Sequence, residues 1–137
     1  MEFLSAFRVC ASGLAAQRTK MDVIVSNLAN IDTTRTPEGG AYKRKVPVFA
    51  SEPAGGSFDE TLRMVRVERI AEDKGSVKMV FDPAHPDANE KGVVEMPDIN
   101  PLVEMADMLT ANRAYEACVT AFDTTKNMAL KALELGK

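Results

Sequence analysis

The 137-residue chain predicts an α+β fold in which long N- and C-terminal α-helices pair as an antiparallel coiled coil. A small β-hairpin-containing central region is expected between them on extended loops. Three observations carry this. Both ends show apolar residues at three-four spacing, the middle shows alternation and turn residues, and Asn100-Pro101 marks a helix start. Three segments follow, residues 1–31, 32–100 and 101–137.

In the first segment Leu4, Phe7, Ala11, Leu14, Arg18, Met21, Val25 and Leu28 form a heptad seam interrupted at Arg18. About four heptads of helix would be roughly 40 Å long. Phe3, Val9, Cys10, Ala15, Ala16, Val23, Ile24 and Ala29 widen the apolar face, so this helix wants more than one partner. Its last turn carries Asn27 and Asn30, followed by a threonine-containing stretch. These amides are suited either to satisfying backbone groups at a helix end that neighbouring molecules cover and water does not reach, or to capping a solvated helix end.

The central segment opens with Thr-, Gly- and Pro-containing stretches (TTRTPEGGAYKRK, SEPAGGS) that read as loop or extended chain. YKRKVPVF predicts a short strand, confined to a sheet edge by Pro47. LRMVRVERI and SVKMVF alternate around Glu72-Asp73-Lys74-Gly75, which predicts that these two strands form a hairpin. VVEM predicts one more short strand before Pro97.

In the last segment Asn100 caps and Pro101 opens a helix, because proline at the first helical position has no N–H to leave unpaired. Met105, Met108, Asn112, Tyr115, Val119, Phe122, Lys126, Ala129 and Leu133 then run to a stop at Gly136, about 35 residues or roughly 50 Å. Polar residues in the seams fix register at some cost in stability. Levelling Ile31 with Leu102 sets Arg18 beside Tyr115 and predicts an Arg18–Glu116 or Arg18–Asn112 contact. The same register offsets Cys10 from Cys118 by about five residues, roughly 7 Å, so free thiols are expected.

The composition narrows the function. A net charge of −3 and no tryptophan argue against a nucleic-acid partner. No apolar run approaches the ~20 residues that cross a bilayer, so membrane insertion is not expected, and Glu2 and Arg8 interrupt what a cleaved signal peptide would need. Two cysteines are too few for a disulfide scaffold or a four-ligand zinc site. His85, the single histidine, lies between prolines in a turn and reads as a turn residue. With no phosphate loop, HExxH, CxxC or GxSxG motif, neither enzyme activity nor a metal or other cofactor is expected. The central strands are too few to cover both helices, so apolar surface is left for copies or neighbours to bury.

SGLAAQRTKMDVIVSNLANIDTTRT resembles the N-terminal signature of the bacterial flagellar rod, hook and hook-associated axial proteins, marked by Asn-Leu-Ala-Asn and threonines. MPDINPLVEMADMLTANRAYEACVTAF resembles their C-terminal helix, with Glu104, Met105, Arg113, Ala114, Tyr115 and Glu116 matching its core; Cys118 stands where asparagine is usual. Within that family the short length and FDPAHPDANEKGVVEMPDINP are similar to a proximal rod protein. The resemblance implies a structural subunit of the periplasm-spanning flagellar basal-body rod, exported without a cleaved signal peptide. It would polymerise through its terminal helices into a hollow drive shaft that transmits torque and conducts exported subunits. Implied partners are other copies of itself, other proximal rod proteins, the distal rod protein, the MS-ring protein and, in transit, the flagellar type III export apparatus. The expected assembly interface is Leu14, Asn27, Leu28, Asn30, Glu104, Met105, Met108, Arg113, Tyr115, Glu116 and Phe122. A secreted helical adaptor binding one heterologous partner is the alternative; it would saturate at a fixed small complex.

Overall fold

A computed structural model describes residues 2–54, 62–75 and 77–136. The elements run α1 (Glu2–Ala29), β1 (Lys45–Pro53), β2 (Arg63–Glu72), β3 (Val77–Phe81), β4 (Val93–Pro97) and α2 (Pro101–Leu135). Asn100 caps α2 by accepting from the Leu102 N–H at 3.0 Å. At the other end Gly136 follows the helix with φ −88°, so the stop does not use glycine's left-handed freedom.

Three contacts set the direction and register of the helix pair. The Phe7 ring meets Phe122 edge-on with centroids 4.8 Å apart. The Cys118 sulfur sits 3.0 Å from where a Cβ on Gly13 would stand. Asn27 donates to Glu104. Rising numbers on α1 meet falling numbers on α2, so the helices pair antiparallel, as the sequence predicts.

The buried seam differs from the predicted one by a single residue along much of its length. On α1 it runs through Ala16, Val23, Ile24 and Asn27, while Leu4, Arg18 and Val25 of the predicted seam are exposed. On α2 the predicted Met108, Tyr115, Phe122 and Ala129 are half-buried as expected. Between them the inward positions are Glu104, Ala111, Cys118 and Thr125, in place of the exposed Met105, Asn112, Val119 and Lys126. The small side chains of Ala111, Cys118 and Thr125 let the backbones approach closely, an advantage that periodicity of hydrophobicity does not register, while Glu104 turns inward to polar partners. Asn112 and Lys126 are therefore outside the seam. The predicted Arg18 contact does not form: Glu116 accepts from Asn112 one turn away on its own helix at 3.0 Å.

The strands form two separate antiparallel pairs, β1 with β2 and β3 with β4. This corrects the expected β2–β3 hairpin. The β1–β2 ladder continues past its last pair, with the Asp73 N–H donating to the Arg44 carbonyl at 2.8 Å, and Asp73 Oδ1 then takes the Gly75 N–H in a tight turn. β3 instead closes on β4 through the 82–92 loop, where Asp82 N–H donates to the Gly92 carbonyl. Gly92 has φ +72°, and a Cβ there would lie 3.1 Å from both Phe81 and Pro83. Pro47 sits inside β1 opposite Ile70. Both backbone groups of Lys45 are bonded on the side away from β2, so by alternation Pro47 also faces outward and its missing N–H removes no ladder bond.

The core draws Ala41 and Tyr42 from the approach to β1, and Val94, Pro97 and Ile99 from β4 and its exit, together with the helix seam. It does not cover the helices. Leu102, Leu109 and Leu133 of α2 remain 75 %, 63 % and 70 % exposed. Among the described residues no helix is long and apolar enough to cross a membrane.

Candidate functional site

Asn27 lies in the last turns of α1 and is 1 % exposed. A buried primary amide has two hydrogens to give and two lone pairs to fill, and all four are used here. Its Nδ2 donates to the Lys45 carbonyl at 2.9 Å and to Glu104 Oε2 at 3.1 Å. Its Oδ1 accepts from the Lys45 N–H at 2.9 Å and from the Tyr42 hydroxyl at 3.1 Å. The side chain thus pairs with Lys45 as a neighbouring strand residue would, and joins the end of α1 to the start of β1.

Glu104 supplies the link to α2. Also 1 % exposed, it accepts from Arg44 Nε at 2.6 Å through its other oxygen. Arg44 reaches on to Asp107, one turn further along α2, with an N–O separation of 3.7 Å. A carboxylate removed from water needs both a countercharge and filled lone pairs, and Arg44 and Asn27 provide them. One cluster of Asn27, Tyr42, Arg44, Lys45 and Glu104 therefore fastens α1, β1 and α2 together.

Asn30 serves the helix end itself. Its Nδ2 donates to the Ser26 carbonyl at 2.8 Å, which also takes the Asn30 backbone N–H at 3.2 Å, so one residue closes the last turn with two bonds to one acceptor. Its Oδ1 accepts from the Thr33 hydroxyl, and the Thr33 carbonyl accepts from the Tyr42 N–H. Thr34 then donates to Asp87 Oδ2 at 2.7 Å, which ties the loop after α1 to the turn between β3 and β4. His85 lies in that turn, and its Nδ1 accepts from the Asp87 N–H, the turn-residue role read from its proline neighbours.

The expected interface residues fall into three groups. Asn27 and Glu104 meet each other inside the chain, and Phe122 is half-buried against Phe7. Leu14, Leu28, Asn30, Met108 and Tyr115 are half-buried. Met105, Arg113 and Glu116 are exposed on α2. Only Asn30 bonds a carbonyl at the end of α1; Asn27, expected to do the same under cover of neighbouring molecules, is instead bonded and covered by the chain's own Tyr42, Lys45 and Glu104. Sequence reasoning missed Arg44 and Tyr42; the available signal was Glu104 at a helix position that turns inward, which requires a cation from elsewhere in the chain.

The likenesses to known proteins fall on these same parts. A family model described as flagella basal body rod protein matches residues 7–35, spanning most of α1 together with Asn27 and the Asn30 that follows the helix. A second, described as flagellar basal body rod FlgEFG protein C-terminal, matches residues 90–135, spanning β4 and α2. Over the full length of both chains the protein is 42 % identical to the flagellar basal-body rod protein FlgC of Bacillus subtilis. It is 41 % identical to FlgC of Borreliella burgdorferi over 98 % of each chain, and 36 % identical to that of Salmonella typhimurium over the whole of each. Such identity across whole chains, with both helical ends matched by rod-protein models, means that this chain belongs to the FlgC family of flagellar basal-body rod proteins and is a structural rod subunit.

Proposed function

We propose that this rod subunit is built into the shaft through the faces of α1 and α2 that its own fold leaves uncovered. The observation that supports this is the row of exposed apolar side chains on α2, from Leu102 and Met105 through Leu109 to Leu130 and Leu133. Apolar surface of this extent is characteristic of an interaction site. The partners are further copies of the chain, the other proximal rod proteins, the distal rod protein and the MS-ring protein. The subunit reaches the periplasm-spanning rod through the flagellar type III export apparatus without losing a signal peptide, and the assembled hollow shaft transmits torque and conducts exported subunits. Arg113 and Glu116, exposed on the same helix, give these contacts direction, while Asn27 and Glu104 act from inside by fixing the register in which the helices are presented. The test is complementation of cells lacking their FlgC with Leu109→Glu. The variant should fold, be exported and fail to complete rods; normal rods and motility would overturn the reading.

A further inference from the structure

Cys10 and Cys118 are both free and both half-buried on the facing surfaces of α1 and α2. The observed register brings them nearer than a levelling of Ile31 with Leu102 suggests. Cys10 lies midway between Phe7 and Gly13, and the partners of those two, Phe122 and Cys118, are centred on residue 120. Its axial offset from Cys118 is then two residues, or about 3 Å. Direction is also favourable, because at 100° per residue Cys10 bisects the ~120° between Phe7 and Gly13, both of which face α2.

Gly13 completes the arrangement. The Cys118 sulfur occupies the space a Cβ on Gly13 would fill, 3.0 Å from that position. Cβ positions three residues apart on a helix are roughly 5–6 Å from one another, and the Gly13 position tilts toward the turn that holds Cys10. Changing the χ1 well of Cys118 moves its sulfur by ~3 Å, with no side chain on Gly13 to block it. That rotation turns the sulfur toward Cys10, and a small slide of the helices brings the two Cβ atoms to the roughly 3.8 Å of a disulfide.

We propose that Cys10 and Cys118 form a disulfide site that staples α1 to α2 within one chain, where a disulfide-forming environment is present. A small disulfide such as oxidised glutathione supplies the oxidising equivalents. One cysteine thiolate, having given up its proton, attacks the small disulfide and expels one thiol; the second thiolate attacks the mixed disulfide and expels the other. Two protein thiols become one S–S bond, and one disulfide becomes two thiols. The staple would hold the helix pair at the end remote from the Asn27–Glu104 cluster, so that both ends of the shared seam are fixed.

The experiment equilibrates rods containing the full chain, and separately the full chain alone, with a reduced-to-oxidised glutathione series. Thiols are then blocked in denaturant, and the products examined by non-reducing electrophoresis and peptide mass spectrometry. The expected result is that both thiols disappear at one midpoint, in a band at single-chain mass that yields a linked Cys10–Cys118 peptide. Cys118→Ala should yield no linked peptide, with Cys10 found as a blocked thiol or a glutathione mixed disulfide, and Gly13→Ala should shift the midpoint toward more oxidising buffers by tenfold or more. Two thiols that remain blockable throughout in both preparations would overturn the proposal. So would bonds only between chains, or glutathione adducts without the linked peptide.

Discussion

Replacing Arg44 by methionine tests the polar cluster most directly. Glu104 is 1 % exposed and holds two partners, Arg44 Nε at 2.6 Å and Asn27 Nδ2 at 3.1 Å. Arg44→Met leaves the carboxylate buried with one hydrogen bond and no countercharge, which costs roughly 3–5 kcal/mol. Loss of the longer Asp107 contact adds little, since that carboxylate is 43 % exposed and such pairs contribute about 1 kcal/mol at most. In the double variant Arg44→Met/Glu104→Leu both charges are gone. What remains is one unbonded hydrogen on the Asn27 amide, worth roughly 1–2 kcal/mol. The double variant should therefore be more stable than Arg44→Met alone by about 2 kcal/mol, although it carries more changes. Urea unfolding of the full-length chain, followed by circular dichroism at matched protein concentrations, reads the difference in midpoint. A double variant no more stable than Arg44→Met would refute the claim that an uncompensated buried charge is what the single change creates.

Other expectations follow from local geometry. Gly13→Ala should lower the melting temperature through the 3.0 Å approach to the Cys118 sulfur, and adding Cys118→Ala should restore it and exceed the original, since alanine is favoured over glycine in a helix by ~1 kcal/mol. Gly92→Ala forces φ +72° on an alanine and crowds Phe81 and Pro83; a destabilisation of about 1–2 kcal/mol should appear in the same urea assay. Asn100→Ala removes the acceptor for the Leu102 N–H and should cost about 1 kcal/mol, visible as a lower midpoint without loss of rod assembly.

The sequence was most informative where its signals act locally. Asn100-Pro101 starts α2 through a bond two residues away, and Asn30 closes α1 through a carbonyl four residues back. Neither depends on the rest of the fold. Strand partners are another matter. The turn residues after β2 did predict a change of direction, and Asp73 and Gly75 make one, but β2 had already been claimed by β1, whose approach to it begins with the buried Tyr42–Lys45 segment. Seam assignment failed for a related reason. Hydrophobicity ranks Met105 above Glu104 and Val119 above Cys118, whereas close helix approach favours the smaller residue and Arg44 turns Glu104 from a liability into a link. The cluster was legible only in part because Asn27 and Glu104 are 77 residues apart and Arg44 lies between them in the region of weakest pattern.

The choice of an amide at position 27 follows from what the junction must satisfy. Where a helix hands the chain to a strand lying back against it, the first strand residue has an N–H and a carbonyl facing the helix, with no neighbouring strand to take them. A carboxylate could accept from the Lys45 N–H but could not donate to its carbonyl, and it would stand beside Glu104 with like charge. A hydroxyl has one hydrogen and too short a reach to serve both Lys45 and Glu104. The carboxamide alone offers two donors and an acceptor oxygen in one plane, and the structure uses each of them: both Lys45 groups, the Tyr42 hydroxyl and the Glu104 carboxylate. The same amide, in the last turns of α1, therefore holds the first register position of β1 and, through Glu104, is tied to α2. On the proposed reading, a rod subunit whose two helix faces meet its neighbours needs those faces at a fixed height relative to each other, and the Asn27–Glu104 bond is one of the three contacts that fix it.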